Sequence, residues 1–73
     1  MITIDNLEKN GFEVTDKFDL YAEKKINRWY TLSVKDNYVG SFGIYHDSHF
    51  ICTLTEIEDL NQLFNLLSKI DES

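Results

Sequence analysis

The stretch Trp29-Tyr30-Thr31-Leu32-Ser33-Val34-Lys35-Asp36-Asn37-Tyr38-Val39-Gly40-Ser41-Phe42-Gly43-Ile44-Tyr45 decides the fold. Apolar and polar residues alternate along it, the period of a strand with one buried face. Tyr30, Leu32 and Val34 point one way, and Trp29, Thr31 and Ser33 the other. Asp36-Asn37 breaks the run with two residues that tolerate positive φ, which predicts a hairpin turn. On the return, Tyr38, Gly40, Phe42 and Ile44 alternate with Val39, Ser41, Gly43 and Tyr45. Gly40 and Gly43 inside a strand predict a bulge or a close backbone approach.

Downstream of the hairpin, His46-Asp47-Ser48-His49 is a polar break. Phe50, Cys52 and Leu54 then alternate with Ile51 and Thr53 in a last strand. The tail reads as an amphipathic helix, with Ile57, Leu60, Leu63, Phe64, Leu67 and Ile70 on one stripe and Leu66 off its centre. Thr55 and Glu58 have capping-box spacing, and Thr53 and Glu56 repeat it two residues earlier. Glu56, Glu58 and Asp59 suit the positive end of the helix dipole, and Lys69 the negative end.

Upstream, Phe18, Leu20 and Ala22 alternate with Asp19, Tyr21 and Glu23, and this strand runs on to Ile26. Phe12-Glu13-Val14-Thr15 has the same alternation over a shorter span. Thr3 to Asn10 reads as a short helix capped by Thr3 and stopped by Gly11, with Ile4 and Leu7 on its buried face. The expected fold is therefore α+β in one domain over residues 1–73: a short N-terminal helix, a small antiparallel sheet of three to four strands, and a C-terminal amphipathic helix packed across it.

The totals fit one small core. The chain has 73 residues, of which 42% are apolar and 14% aromatic, so it is a folding sequence and not a disordered one. Proline is absent, and Cys52 is the only cysteine, so no disulfide forms within a chain. A lone cysteine suits a reducing compartment. Met1-Ile2-Thr3-Ile4-Asp5-Asn6 has neither the basic nor the apolar region of a secretory signal, and no apolar run approaches the roughly 20 residues of a membrane span. The expectation is a cytoplasmic protein with no membrane contact.

The net charge is −6. Five of the seven basic residues (Lys17, Lys24, Lys25, Arg28 and Lys35) lie between positions 17 and 35, opposed there only by Asp19 and Glu23. That window is +3 and the remainder −9. Overall acidity disfavours direct nucleic-acid binding and permits a basic protein partner. Lys24-Lys25-Ile26-Asn27-Arg28-Trp29-Tyr30 mixes cations with aromatics as single-strand binders do, but it reads more simply as a solvated strand end followed by core aromatics.

Catalytic chemistry finds little support. His46, Asp47 and His49 with Cys52 resemble a fragment of a metal site, yet zinc needs three or four converging ligands. Cys52 is in register with core residues, and the histidines sit in a polar turn, so neither a metal nor a cofactor is expected. A thiol among apolar neighbours is a core residue before it is a nucleophile. Gly40-Ser41-Phe42-Gly43 lacks the lysine and the spacing of a phosphate loop. No enzymatic activity is expected.

The aromatic residues carry more information. One helix covers one side of a sheet. On this reading the other side shows Tyr21, Trp29, Val39, Tyr45 and Ile51 to solvent. Exposed aromatic patches mark interfaces. With the acidic helix start at Glu56, Glu58 and Asp59, these are the expected partner-binding residues.

The tail Cys52-Thr53-Leu54-Thr55-Glu56-Ile57-Glu58-Asp59-Leu60, followed by Leu63 and Leu66-Leu67, resembles the endings of many short proteins from phages and mobile elements of low-GC bacteria. There too an aromatic-rich meander runs into a helix of the form Thr-x-x-Glu/Asp-Leu-x-x-Leu. The resemblance covers roughly residues 29–70 and points to no single family. It implies a host-directed accessory role, such as inhibition of a host or defence protein. The expected function is a small acidic protein-binding module that occludes its partner, including a version that mimics DNA. The alternative is a homo-oligomeric structural protein without catalytic activity.

Overall fold

A computed structural model describes residues 1–44 and 48–70. The elements are α1 (Ile4–Lys9), β1 (Glu13–Asp16), β2 (Tyr21–Lys25), β3 (Tyr30–Lys35), β4 (Tyr38–Gly43), β5 (Ser48–Thr53) and α2 (Ile57–Ile70). The class is α+β, and the sheet has five strands where three to four were expected. The extra strand is β1, whose four residues pair with β2 through Glu13–Glu23 and Val14–Ala22. The strands lie in chain order, each antiparallel to the next.

Local chemistry fixes α1 at both ends. The Thr3 side chain accepts from the Asn6 amide, and the Asn6 side chain accepts from the Thr3 amide, closing a capping box. At the other end Gly11 adopts φ +85°. The Phe12 amide donates to the Leu7 carbonyl and the Gly11 amide to that of Glu8, the paired bonds of a Schellman motif. Leu7 and Phe12, the residues this motif brings together, are both buried.

Both helices lie on the same side of the sheet. Leu7 of α1 and Leu60 of α2 belong to one buried cluster with Ile2, Phe12, Ala22, Leu32, Val34 and Val39. Ile57, Leu63, Phe64 and Leu67 pack against it, while Leu66 is exposed. The helix begins at Ile57, which puts Glu56 at the cap position in place of Thr55 or Thr53. The amino group of Met1 donates to the Glu56 carboxylate there.

The junction of α1, α2 and β2 is polar and hydrogen-bonded. Asn10 donates from its side chain to the Asn6 carbonyl at 2.7 Å and accepts from the Asn61 amide at 2.8 Å. Lys24 Nζ donates to the Asn10 carbonyl at 2.9 Å and lies 4.1 Å from the Phe64 ring centroid and 5.5 Å from that of Phe12. Lys24 therefore folds back over aromatic rings and is half-buried, not the solvated side chain its basic neighbours suggested. An ammonium over a ring face is held by the ring's quadrupole.

Two departures from the expected strand phases follow from turns and bulges. Asp36-Asn37 forms the hairpin turn with Asp36 at φ 59°, leaving Lys35 opposite Tyr38 and Val34 opposite Val39. Paired residues share a face, so Val39 joins Val34 in the core and is fully buried. It is not an exposed interface residue. In β5 the pairing slips between Val39–Cys52 and Gly40–Phe50, leaving Ile51 as the extra residue of a bulge. The slip keeps Cys52 on the core side and turns Phe50 onto the opposite face. Phe18, expected inside a strand, lies in the β1–β2 turn and is 98% exposed. That turn is set by Asp16, whose carboxylate accepts from the Phe18 and Asp19 amides.

Candidate interaction face

The sheet face turned away from the helices carries Glu13, Tyr21, Glu23, Lys25, Thr31, Ser33, Lys35, Tyr38, Gly40, Phe42, Ser48, Phe50 and Thr53 by register. None of these residues is fully buried. The face divides into two halves. Over β2 and β3 it is polar: Glu23, Ser33, Lys25, Thr31 and Lys35 share it with Tyr21. Over β4 and β5 it is aromatic.

In the aromatic half the rings of Tyr38 and Phe50 stand 6.4 Å apart, tilted at 57°. They are 58% and 67% exposed. Between Tyr38 and Phe42 the strand has only Gly40, which pairs with Phe50. A Cβ at Gly40 would lie 2.7 Å from the His49 carbonyl oxygen, closer than any side chain tolerates. The bulge thus requires glycine here, and glycine leaves a shallow floor between the rings. A cleft of about 510 Å³ lined by Phe18, Asp19, Leu20, Lys35, Asp36 and Tyr38 continues the surface to the turn end of the sheet.

Tyr21, on this face, has a displaced pKa. Burial raises it above the ordinary 10.0, and the neighbouring Glu23 carboxylate raises it further by its charge and by accepting a hydrogen bond from the neutral phenol. Ser33 acts weakly in the opposite direction.

The residues expected to bind a partner do not share one surface. Tyr21 lies on the open face. Ile51 sits at the β5 bulge, at the border of exposure. Trp29 lies in the β2–β3 turn and not in a strand, half-exposed, with the Arg28 guanidinium 5.9 Å from its ring centroid. Its backbone amide and that of Tyr30 both donate to Asn27 Oδ1. Tyr45 falls outside the described residues, and Val39 is in the core. Glu56, Glu58 and Asp59 are exposed at the start of α2, in the layer opposite the open face. Tyr38, Phe50 and Phe18 are exposed aromatics that the sequence reading missed, and Tyr30, expected on the buried side with Leu32 and Val34, is half-exposed at the start of β3. Counting outward from the two-residue turn would have found Tyr38. The bulge that turns Phe50 outward has no local signal beyond Gly40.

His46 and Asp47 also fall outside the described residues. Among the described ones no three histidine, cysteine, aspartate or glutamate side chains gather as metal ligands. No helix among them is long and apolar enough to cross a membrane. No family model, curated protein or solved structure matches the chain.

Proposed function

We propose that the chain is a small acidic protein-binding module whose contact surface is the aromatic half of the open sheet face. The observation that carries this reading is the Tyr38–Phe50 pair, more than half exposed, standing beside Gly40 on a face neither helix covers. Interface cores are enriched in such rings and depleted in charge. Lys25, Lys35, Glu13 and Glu23 rim the face with both signs, as a polar border does. Such a module acts by occlusion and needs no catalytic group. A host-directed inhibitor is the biological form of this reading.

The net charge of −6 favours a basic partner and adds a salt-sensitive on-rate. The test is capture of partners from the organism of origin, comparing the wild type with Tyr38→Ser/Phe50→Ser. The expected outcome is one specific partner, retained by the wild type and lost by a double variant that keeps its circular dichroism. A partner kept by that variant but lost by Glu58→Lys/Asp59→Lys would replace the aromatic face with acidic mimicry. No specific partner at all would overturn the reading.

A further inference from the structure

The meander gathers charge at one end of the sheet. The ends of β1, β3 and β5 and the starts of β2, β4 and α2 all lie there. That end carries Asp16, Asp19, Asp36, Glu56, Glu58 and Asp59 against Lys17 and Lys35. Glu56 already pairs with the Met1 amino group. Asp19 and Asp36 make no ion pair among the described residues. Both line the cleft of about 510 Å³ at this end, together with Phe18, Leu20, Lys35 and Tyr38. Its two walls are tied to each other: the Asp36 amide donates to the Leu20 carbonyl at 3.2 Å, joining the β3–β4 turn to the β1–β2 turn. Leu20 packs against the core, and the Asp16 carboxylate holds the Phe18 and Asp19 amides. A fixed turn therefore presents Phe18 almost wholly to water, where its ring adds little to folding.

We propose that this cleft receives a cationic side chain of the basic partner, seated against the Phe18 and Tyr38 rings with Asp19 and Asp36 beside its charge. The inference rests on the reading of the chain as a protein-binding module and names the chemistry that one part of its surface recognises. Charge selects the occupant. Ring faces attract a cation, and carboxylates accept its hydrogen bonds. An anion would meet Asp19, Asp36 and a net charge of −6, and a second copy would meet the same net repulsion. A neutral side chain would gain from the rings alone. Lys35 is the opposing group in the cleft. Its long stem lets the ammonium turn to solvent while the methylenes extend the apolar wall.

The test is a titration of the protein, followed by the NMR shifts of its backbone amides, with an acetylated, amidated peptide of alternating glycine and arginine. The control is the same peptide with citrulline, the neutral isostere of arginine. The arginine peptide is expected to move the amides of residues 17–20 and 35–38, and the citrulline peptide to leave them in place. Asp19→Asn/Asp36→Asn weakens binding about fivefold, the equivalent of about one exposed ion pair. Phe18→Ala weakens it about threefold, and Lys35→Ala strengthens it. Phe50→Ser, in the exposed aromatic pair but outside the cleft, leaves it unchanged. Equal binding of both peptides overturns the proposal. So do shifts centred on Glu58 and Asp59, an affinity untouched by the asparagine pair, or no binding of the arginine peptide. Each of these failures leaves the aromatic-face reading standing, because that reading is decided by partner capture with Tyr38→Ser/Phe50→Ser.

Discussion

A methyl group at position 40 has nowhere to go. Its nearest neighbour would be the His49 carbonyl oxygen at 2.7 Å, and that atom is backbone inside the β4–β5 ladder. Gly40→Ala must therefore push the two strands apart or undo the bulge. A loss of about 1–3 kcal/mol is expected, read as a lower urea midpoint. Gly43 is different: a Cβ there would meet the Tyr30 ring at an ordinary 3.5 Å, so Gly43→Ala should cost less than Gly40→Ala in the same titration. Tyr21 gives the residue scale its pH dependence. Its folded pKa lies above the ordinary 10.0, so above that value the unfolded chain releases the proton first. Its contribution to stability is complete below pH 10 and is lost as pH rises through the folded value. Denaturant midpoints at pH 8 and pH 11 should fall more steeply for the wild type than for Tyr21→Phe; equal slopes would contradict the assignment. The face of Val39 was legible in principle, because a two-residue turn after Lys35 fixes Val34 and Val39 on one side. Reading alternation on each strand separately, without carrying the parity across the turn, placed it on the wrong one.

At the scale of elements, what is local is legible and what depends on a neighbouring strand is not. The cap at Thr3, the stop at Gly11 and the apolar stripe of α2 follow from residues within a turn or two of one another. The slip in β5 depends on how β4 and β5 meet, and the outward turn of Phe18 on Asp16 capturing two amides. Neither leaves a period in the sequence. The junction around Asn10 and Lys24 is equally non-local, since Asn10, Lys24 and the pair Asn61 and Phe64 come from three separate segments. Lys24→Met keeps the stem but removes the donor to the Asn10 carbonyl and the charge over Phe64. A loss of about 1–2 kcal/mol is expected, from a charged hydrogen bond and a partly shielded cation–π contact. Combining it with Asn61→Ala should give less than the sum of the single losses, because both substitutions release Asn10. Strict additivity in the denaturant midpoints would show that the junction does not act as a unit.

For the whole molecule, the unequal covering of the sheet makes the two faces respond in opposite ways to loss of a large side chain. The covered face holds a small core, and Leu60 is the α2 residue fully buried in it. Leu60→Ala leaves a cavity and costs about 2–5 kcal/mol. A domain of this length has on the order of 4–11 kcal/mol in total, so the variant should melt at least about 8 °C lower, at roughly 4–8 °C per kcal/mol. On the open face, Tyr38 and Phe50 already stand mostly in water, so Tyr38→Ser/Phe50→Ser removes little that folding buries. Its melting temperature should lie within about 4 °C of the wild type, the shift for about 0.5 kcal/mol at most. Thermal melts of the two variants side by side, at one protein concentration low enough to keep the chain monomeric, check both limits. A double variant that melts as low as Leu60→Ala would mean that the aromatic pair belongs to the folding core, and the ground for treating that face as a surface kept open for another protein would be gone.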